Sequence, residues 1–442
     1  MELRGQRVMV IGWGVTGRAL ATFLAARGAR VVVAEQRMDQ ENEQLPPGVV
    51  LHRGPEQMHW LDGVELVVPS PGVPRTNRLL QEAVRRGRLI VSEVELAARL
   101  LPELGVGITG TNGKSTVTTL VGEIFAAAGR KPFVGGNLGT PLIAAVDGDW
   151  DATVVEISSF QLEWVDQLRP RVGVYLNLSE DHLDRYGDLQ EYGATKARLF
   201  ARQRAEDWAV LNRDDPAVWA LASSLRARVL GVGMQRPTQG YGVWPTKGGI
   251  EYGLDENRHG VLRFDHTRWP GRHQLFNAMA AAGAALAAGL EAAPIERALA
   301  QFHGLPHRLE LVLEKDGIKF VDDSKATNVG AVVEALAALA PPLIVLAGGI
   351  DKGGDYAPLR PLLAERAKAL ILFGAAREKM NRELSGSTRC EVRSDLEQAM
   401  HCAWSLARAG DTILLSPACS SFDQFRNYAE RGRRFKELAE AL

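Results

Sequence analysis

Residues 106–116, VGITGTNGKST, carry the densest set of groups suited to gripping a polyanion. Val106 and Ile108 read as a buried strand, glycines at 107, 110 and 113 permit a tight turn, and Lys114-Ser115-Thr116 open an amphipathic helix through Leu120, Ile124 and Phe125. In such a turn the backbone N–H groups of Gly110, Thr111, Asn112 and Gly113 converge on phosphate oxygens. The helix N-terminus adds partial positive charge, Lys114 a full one, and the Ser115 hydroxyl can ligate Mg²⁺. The expected ligand is a nucleoside triphosphate. The loop is a variant, because strict phosphate-loop spacing asks for glycine at 108, where Ile108 stands.

A strand at Ala152–Ile157 delivers Glu156 ahead of Ser158-Ser159-Phe160-Gln161. A carboxylate ending a hydrophobic strand beside a phosphate loop is placed to hold Mg²⁺, directly or through water; alone it serves equally as a cap or ion-pair partner. Strand Arg171–Leu176 runs into a loop holding Glu180, Asp181, His182 and Asp184, and a helical pattern from Asp188 to Arg202 puts Lys196 one turn from Tyr192. By its neighbours Lys196 is an ordinary solvated lysine. Yet only 11 of the 52 basic residues are lysine, and four of these, Lys114, Lys196, Lys325 and Lys352, sit in motifs. Gly135–Pro141, with Asn137, reads as a surface turn. An alanine-rich helix from His273 to about Leu290 places Asn277 where it could face a nucleotide base.

The elements that must position these groups are alternating strands and helices. The chain opens with a strand, Gly12-x-Gly14-x-x-Gly17, a helix ended by Gly28 and a second strand finishing at Glu35. This dinucleotide-type fingerprint also serves FAD, nucleotide-sugars, or plain strand–helix packing. A further strand, Leu66–Pro69, leads into the turn Ser70–Pro74. From Gly304 strands recur at Ile318–Val321, Leu343–Ala347, Ala369–Phe373 and Thr412–Leu415. Polar loops follow three of them: 322–328, 348–352 and 416–421. Loops at the carboxyl ends of neighbouring parallel strands form a ligand crevice. The expectation is an α/β chain of three domains: 1–92 Rossmann-like, 93–303 built on the phosphate loop, and 304–442 again Rossmann-like.

Composition narrows the partners. A chain of 442 residues is too long for one compact domain. With 52 basic against 53 acidic residues it has no global field to recruit nucleic acid or an anionic membrane. Its apolar runs fall short of the ~20 residues of a membrane helix, and its N-terminus enters a strand directly, so a cytoplasmic protein is expected. Cys390, Cys402 and Cys419 are too scattered for a disulfide framework or zinc site.

Together GTNGKST, Glu156-x-Ser-Ser-Phe-Gln-Leu, NLSEDHLDRYG, Gly304-Leu-Pro-His-Arg308, DDSKATN and SPACSSFDQF resemble the Mur ligases over essentially the whole chain. The short N-terminal domain favours the members that add D-glutamate to UDP-N-acetylmuramoyl-L-alanine. The resemblance implies an ATP-dependent ligation through an acyl phosphate, in peptidoglycan synthesis, by a monomer whose ATP sits between the central and C-terminal domains. It implies that Lys114, His182 and Lys196 are catalytic, with two Mg²⁺ ions. Ser115 and Glu156 would hold the first; His182 and a Lys196 carbamylated by CO₂, a reaction that needs the neutral amine, would hold the second. Val15, Thr16, Glu35, Arg37 and Ser70 would line the uridine diphosphate pocket, with Asn137 near the pyrophosphate. Asn277, Arg308 and Asp323 would meet adenine and ribose, with His307 beside them and Lys325 near the phosphates. Thr327, Lys352 and Ser421 would receive D-glutamate. Glu35 stands where aspartate is usual, and Tyr428 where phenylalanine is usual. Rival readings are a sister Mur ligase, a folylpolyglutamate synthase, a nicotinamide-dependent oxidoreductase built on Gly12–Gly17, or a phosphate-loop switch or motor.

Overall fold

A computed structural model describes residues 1–38, 45–183, 185–238, 241–265, 269 and 271–442; Asp184 lies outside the described residues. The strand-forming segments, rich in Val and Ile, build three sheets. The first holds β1 (Arg7–Ile11), β2 (Arg30–Glu35), β3 (Val49–Arg53), β4 (Leu66–Pro69) and β5 (Leu89–Ile90), all parallel, in the order β3-β2-β1-β4-β5. Parallel strands bury both faces, which is why RVMVI and RVVVAE read as continuous apolar runs. The order reverses direction at β1, so the loops after β1 and β4 flank a crevice.

The second sheet holds β6 (Leu104–Thr109), β7 (Pro132–Gly136), β8 (Ala152–Glu156), β9 (Pro170–Tyr175), β10 (Trp208–Asn212), β11 (Arg228–Val232), β12 (Gly242–Thr246), β13 (Gly249–Gly253) and β14 (His259–Arg263). Its order is β14-β13-β12-β11-β10-β9-β6-β8-β7, parallel from β7 to β12, with β12, β13 and β14 antiparallel. One expectation is corrected here: Gly135 and Gly136 are no surface turn but the buried end of β7. Gly135 and Gly136 pair with Val155 and Glu156 of β8, and only Asn137–Pro141 forms the loop. Glycine is required at 136, whose φ is +91°.

The third sheet holds β15 (Glu310–Lys315), β16 (Ile318–Asp322), β17 (Leu343–Gly348), β18 (Ala367–Phe373), β19 (Cys390–Val392) and β20 (Thr412–Leu415), in the order β15-β16-β20-β17-β18-β19. Only β15 is antiparallel to its neighbour. Residues of β17 alternate between two cores, Leu343, Val345 and Ala347 on one face and Ile344 and Leu346 on the other, as a period of two demands. Because β16, β20 and β17 are adjacent, the three polar loops that follow them emerge side by side.

The chain divides into two compact units. The first comprises Met1–Asn177, Gln190–Phe264 and Asn277–Gln301, with the first two sheets; the second comprises Leu178–Leu189, Asp265–Phe276 and Phe302–Leu442, with the third sheet. Within the first unit two buried glutamates on the helix Glu93–Leu100 bind this helix to the loops between β7, β8 and β9 of the second sheet. Glu93 Oε1 accepts from the Ile143 N–H at 2.6 Å, and burial pushes its carboxyl up to about 7. Glu95 accepts from the N–H groups of Asp166, Gln167 and Leu168 at 2.9–3.1 Å and from Arg99 Nε at 2.6 Å. Glu95→Ala leaves three backbone donors and a guanidinium without their acceptor and is expected to cost about 3 kcal/mol, read as a lowered urea midpoint. Glu95→Gln, which keeps an acceptor oxygen, should recover a large part of that loss.

Candidate active site

The phosphate loop leaves β6 at Thr109 and enters the helix Lys114–Ala127. Gly110 (φ +152°) and Gly113 (φ +84°) take backbone conformations that side chains strain. A Cβ on Gly113 would stand 2.5 Å from Asn277 Oδ1. That oxygen is buried and has no hydrogen-bond partner among the described residues, as expected of an acceptor reserved for a ligand. Asn177 braces the loop: its Oδ1 accepts from the Asn112 N–H at 2.8 Å, its Nδ2 donates to the Asn112 carbonyl at 3.1 Å, and its own carbonyl accepts from the Thr111 N–H at 3.0 Å.

Two ammonium groups turn inward on the same loop. Lys114 Nζ donates to the carbonyls of Gly110 and Thr111, both at 2.8 Å, and Lys196 Nζ donates to that of Gly110 at 2.9 Å. Lys196 is 1% exposed, with its ammonium 4.3 Å from the centre of the Tyr192 ring. The solvated lysine its sequence neighbours suggest is therefore overturned: the helix Leu189–Ala197 turns this face into the protein. Beside them the buried Glu156 carboxylate accepts from Ser115 Oγ and Asn137 Nδ2, each at 2.6 Å. A hydroxyl and a carboxylate in contact are hard oxygen donors that fit Mg²⁺.

A cavity of about 720 Å³ opens at the carboxyl ends of β1 and β4, and Val15, Thr16, Glu35, Arg37 and Ser70 all line it. Glu35 binds the N–H groups of Trp13 and Arg37 at 2.7 and 2.9 Å, and Ser70 Oγ donates to the Gly12 carbonyl at 3.3 Å. The helix Val15–Ala26 starts at this cavity, which suits a diphosphate.

In the second unit the loops after β16, β17 and β20 are stitched together. The Gly348 N–H donates to Pro417, that of Ala418 to Ala326, and Ile350 bridges Ser420. The fully buried Arg431 completes the seam, donating to the Ser324 hydroxyl and carbonyl and to the carbonyls of Gly348 and Cys419 at 2.9–3.3 Å. Burial pushes its guanidinium down to about 10, still a cation at neutral pH. Nothing in the sequence marks it, since an arginine in a polar helix reads as surface.

Around this seam Asp323 is buried and its carboxyl is pushed up to about 7 by that burial, against the pull of Arg308 and of Ser416 Oγ at 3.0 Å. His307 (φ +63°) holds Asp322 at 2.6 Å, and Gly432 is the residue that packs on this pair. His307, Glu310 and Asp322 could crowd a metal, but Glu310 is paired with Lys436 and His307 with Asp322, so the cluster satisfies itself. Lys325 Nζ lies 5.2 Å from the Tyr428 ring centre. Lys352, Thr327 and Asn328 gather around Asp181, whose neighbour His182 takes φ +56°. Burial favours the neutral Asp181 carboxyl, but Lys352, His182 and Asn328 outweigh it and hold the group below its usual range. Ser421 is buried in the loop after β20. Residue types alone do not single out Asn177 or Arg431, though Asn177 lies in the NLSEDH motif; Asp181 is marked only as one acid of its loop.

Family models match most of the chain: a Mur ligase MurD-like N-terminal domain over 6–92, a Mur ligase middle domain over 108–285, and a Mur ligase glutamate ligase domain over 307–419. The chain is 46% identical over 453 residues to a UDP-N-acetylmuramoylalanine--D-glutamate ligase of Geobacter metallireducens, covering 100% of this chain and 99% of that one. In fold it is similar to a pseudomurein peptide ligase type C from Methanothermus fervidus, with TM-score 0.63, 21% identity and coverage of 99% and 100%. It is similar too to MurF ligase from Thermotoga maritima in complex with ADP, with TM-score 0.62, 18% identity and coverage of 100% and 97%.

The cradle geometry makes Gly113 intolerant of a side chain. Gly113→Ala combines left-handed strain with a clash on Asn277 and should weaken nucleotide binding about 5- to 150-fold, the loss expected from a strain of about 1–3 kcal/mol. Titration with a fluorescent ATP analogue measures it, with circular dichroism confirming an intact fold.

Proposed function

Since this chain belongs to the Mur ligase family, we propose that it joins D-glutamate to the alanine carboxyl of UDP-N-acetylmuramoyl-L-alanine at the expense of ATP, in the building of the peptidoglycan precursor. The observation that carries this reading is the full-length likeness to D-glutamate ligases in a chain whose phosphate loop is built for a triphosphate. The segments 1–92, 93–303 and 304–442 are its working division.

A carboxylate is a poor acyl donor until one oxygen becomes a phosphate. The alanine carboxylate oxygen attacks the γ-phosphorus, the bond to the β-phosphate oxygen breaks, and ADP leaves. The D-glutamate amine then attacks the acyl carbon and, on losing a proton, yields the amide as phosphate departs. Anion meets anion in the first step, and fixed positive charge must offset it. Lys114 supplies that charge from the cradle, while the loop N–H groups orient the phosphates. Mg²⁺ held by Ser115 and Glu156 would add charge neutralisation at the same phosphates.

Lys196 as an ammonium has no lone pair for a cation. Carbamylation by CO₂ would give it carboxylate-like oxygens, and with His182 it would then serve a second Mg²⁺. Its burial supports this reading, because desolvation favours the neutral amine that CO₂ requires. Val15, Thr16, Glu35, Arg37 and Ser70 take the uridine diphosphate, Asn137 the pyrophosphate side of the sugar, and Asn277, Arg308, Asp323 and Lys325 the nucleotide of ATP. Thr327, Lys352 and Ser421 take D-glutamate. The enzyme proposed is a monomer of the cytoplasm; no helix among the described residues is long and apolar enough to cross a membrane.

Phosphate release from ATP and Mg²⁺ should require both UDP-N-acetylmuramoyl-L-alanine and D-glutamate. Release with L-alanine, L-lysine or diaminopimelate instead would move the chain to a sister activity, and release without any acceptor would sink the ligase reading. Lys196→Ala should lower turnover by about 100-fold or more, as loss of a transition-state charge stabiliser does, with folding intact and partial recovery in added formate or acetate. Near-normal turnover without those carboxylates would remove Lys196 from the chemistry.

A further inference from the structure

Every residue from Ser70 to Arg78 lines the cavity at the carboxyl ends of β1 and β4 except Arg75, which turns the other way. Its Nη1 donates to Glu191 Oε1 at 2.8 Å and its Nε lies 3.5 Å from Glu163 Oε2, so one guanidinium spans carboxylates on two separate elements. Glu191 belongs to the helix Leu189–Ala197, which carries Lys196. The other end of that helix is tied to the same place, because Arg198 donates to the carbonyls of Glu163 and Val165, both at 2.6 Å. The Lys196 helix is thus clamped at both ends, and Glu163 is common to the two clamps. The Glu163 side chain is fully buried, whereas those of Arg75 and Glu191 are 39% and 43% exposed. A pair as exposed as Arg75–Glu191 contributes little stability. What a planar guanidinium held by two carboxylates supplies is a fixed geometry.

We propose that Arg75 is a positioning residue: it fixes the Lys196 helix relative to the wall of the nucleotide-sugar cavity. Both chain neighbours of Arg75 line that cavity. A ligand that steadies this wall therefore steadies the guanidinium and, through Glu191, the helix; by linkage, a helix held in place favours the ligand in return. The helix delivers Lys196 Nζ to the Gly110 carbonyl of the phosphate loop. A displacement of about 1 Å in such a group can cost about 100-fold in rate. Arg75 thus acts on the reaction through Lys196, and the proposal rests on the catalytic reading of Lys196.

The test combines hydrogen exchange with steady-state kinetics of the full-length enzyme. Glu191→Gln removes only the helix side of the Arg75 clamp, and Arg75→Gln removes both sides. In either variant the amides of residues 189–197 should exchange faster than in the wild type. UDP-N-acetylmuramoyl-L-alanine should slow that exchange in the wild type and slow it less in the variants. Arg75→Gln should lower kcat about tenfold, the scale of a misplaced catalytic group, with the KM for UDP-N-acetylmuramoyl-L-alanine within about threefold. In the Lys196→Ala background the same substitution should change kcat less than about twofold, since nothing catalytic is left to position. Unchanged exchange over 189–197, a raised KM with unchanged kcat, or the full loss of kcat repeated on top of Lys196→Ala would each overturn the proposal. Should Lys196→Ala alone turn over near normally, the catalytic reading of Lys196 falls, and the exchange comparison still decides whether Arg75 holds its helix.

Discussion

The carbonyl of Gly110 accepts from two ammonium groups at once, those of Lys114 and Lys196. Two unit charges within about 6 Å repel by about 3 kcal/mol at the effective dielectric of a partly buried site, so this carbonyl is a point where repulsion is held in check by backbone geometry. It can accept from both because a carbonyl oxygen offers two lone pairs. A polyphosphate in the cradle relieves the repulsion, and so does conversion of one amine to an anion. The first of these is what a ligase that phosphorylates a carboxylate has to gather at this spot.

The second unit uses the same solution with a different cation. At the carboxyl ends of parallel strands the last carbonyls lose their ladder partners and must find donors. Arg431 supplies them to Ser324, Gly348 and Cys419, locking three loops into one surface. Lys114 and Lys196 do so for the phosphate loop. A lysine can be drawn away by an anion because its ammonium is a single point on a flexible stem. A buried arginine fork bonded to several carbonyls cannot. In the proposed reaction the lysines would supply charge, while the arginine supplies shape.

This distinction also explains what was legible in the sequence. Strand, glycines, GKS and helix follow one another locally, so the phosphate loop and the sheet type could be read directly, as could the emergence of the polar loops after β16, β17 and β20. Lys196 could not be read from its neighbours, because its environment is made by Tyr192 and by Gly110, which is 86 residues away. The Gly135-Gly136 pair looked like a turn because glycine is depleted in strands, yet β7 needs both: a side chain at 135 would meet the Phe133 ring, and one at 136 the Val155 side chain. Arg431 and Asn177 earn their roles only through distant backbone atoms, which no spacing rule contains.

Glu35 shows how a departure from family expectation can be read physically. At the end of β2 its carboxylate reaches the Trp13 N–H in the glycine loop and the Arg37 N–H in its own strand's exit. The extra methylene relative to aspartate lengthens the span from β2 to that loop, and each oxygen is spent first on a backbone donor. Carboxylate oxygens hold further lone pairs, so both remain able to accept from a nucleoside hydroxyl or ring N–H. The longer side chain thus sets the carboxylate to brace the Gly12–Gly17 turn, and the ligand contact proposed for it would be a second bond to oxygens already fixed in place.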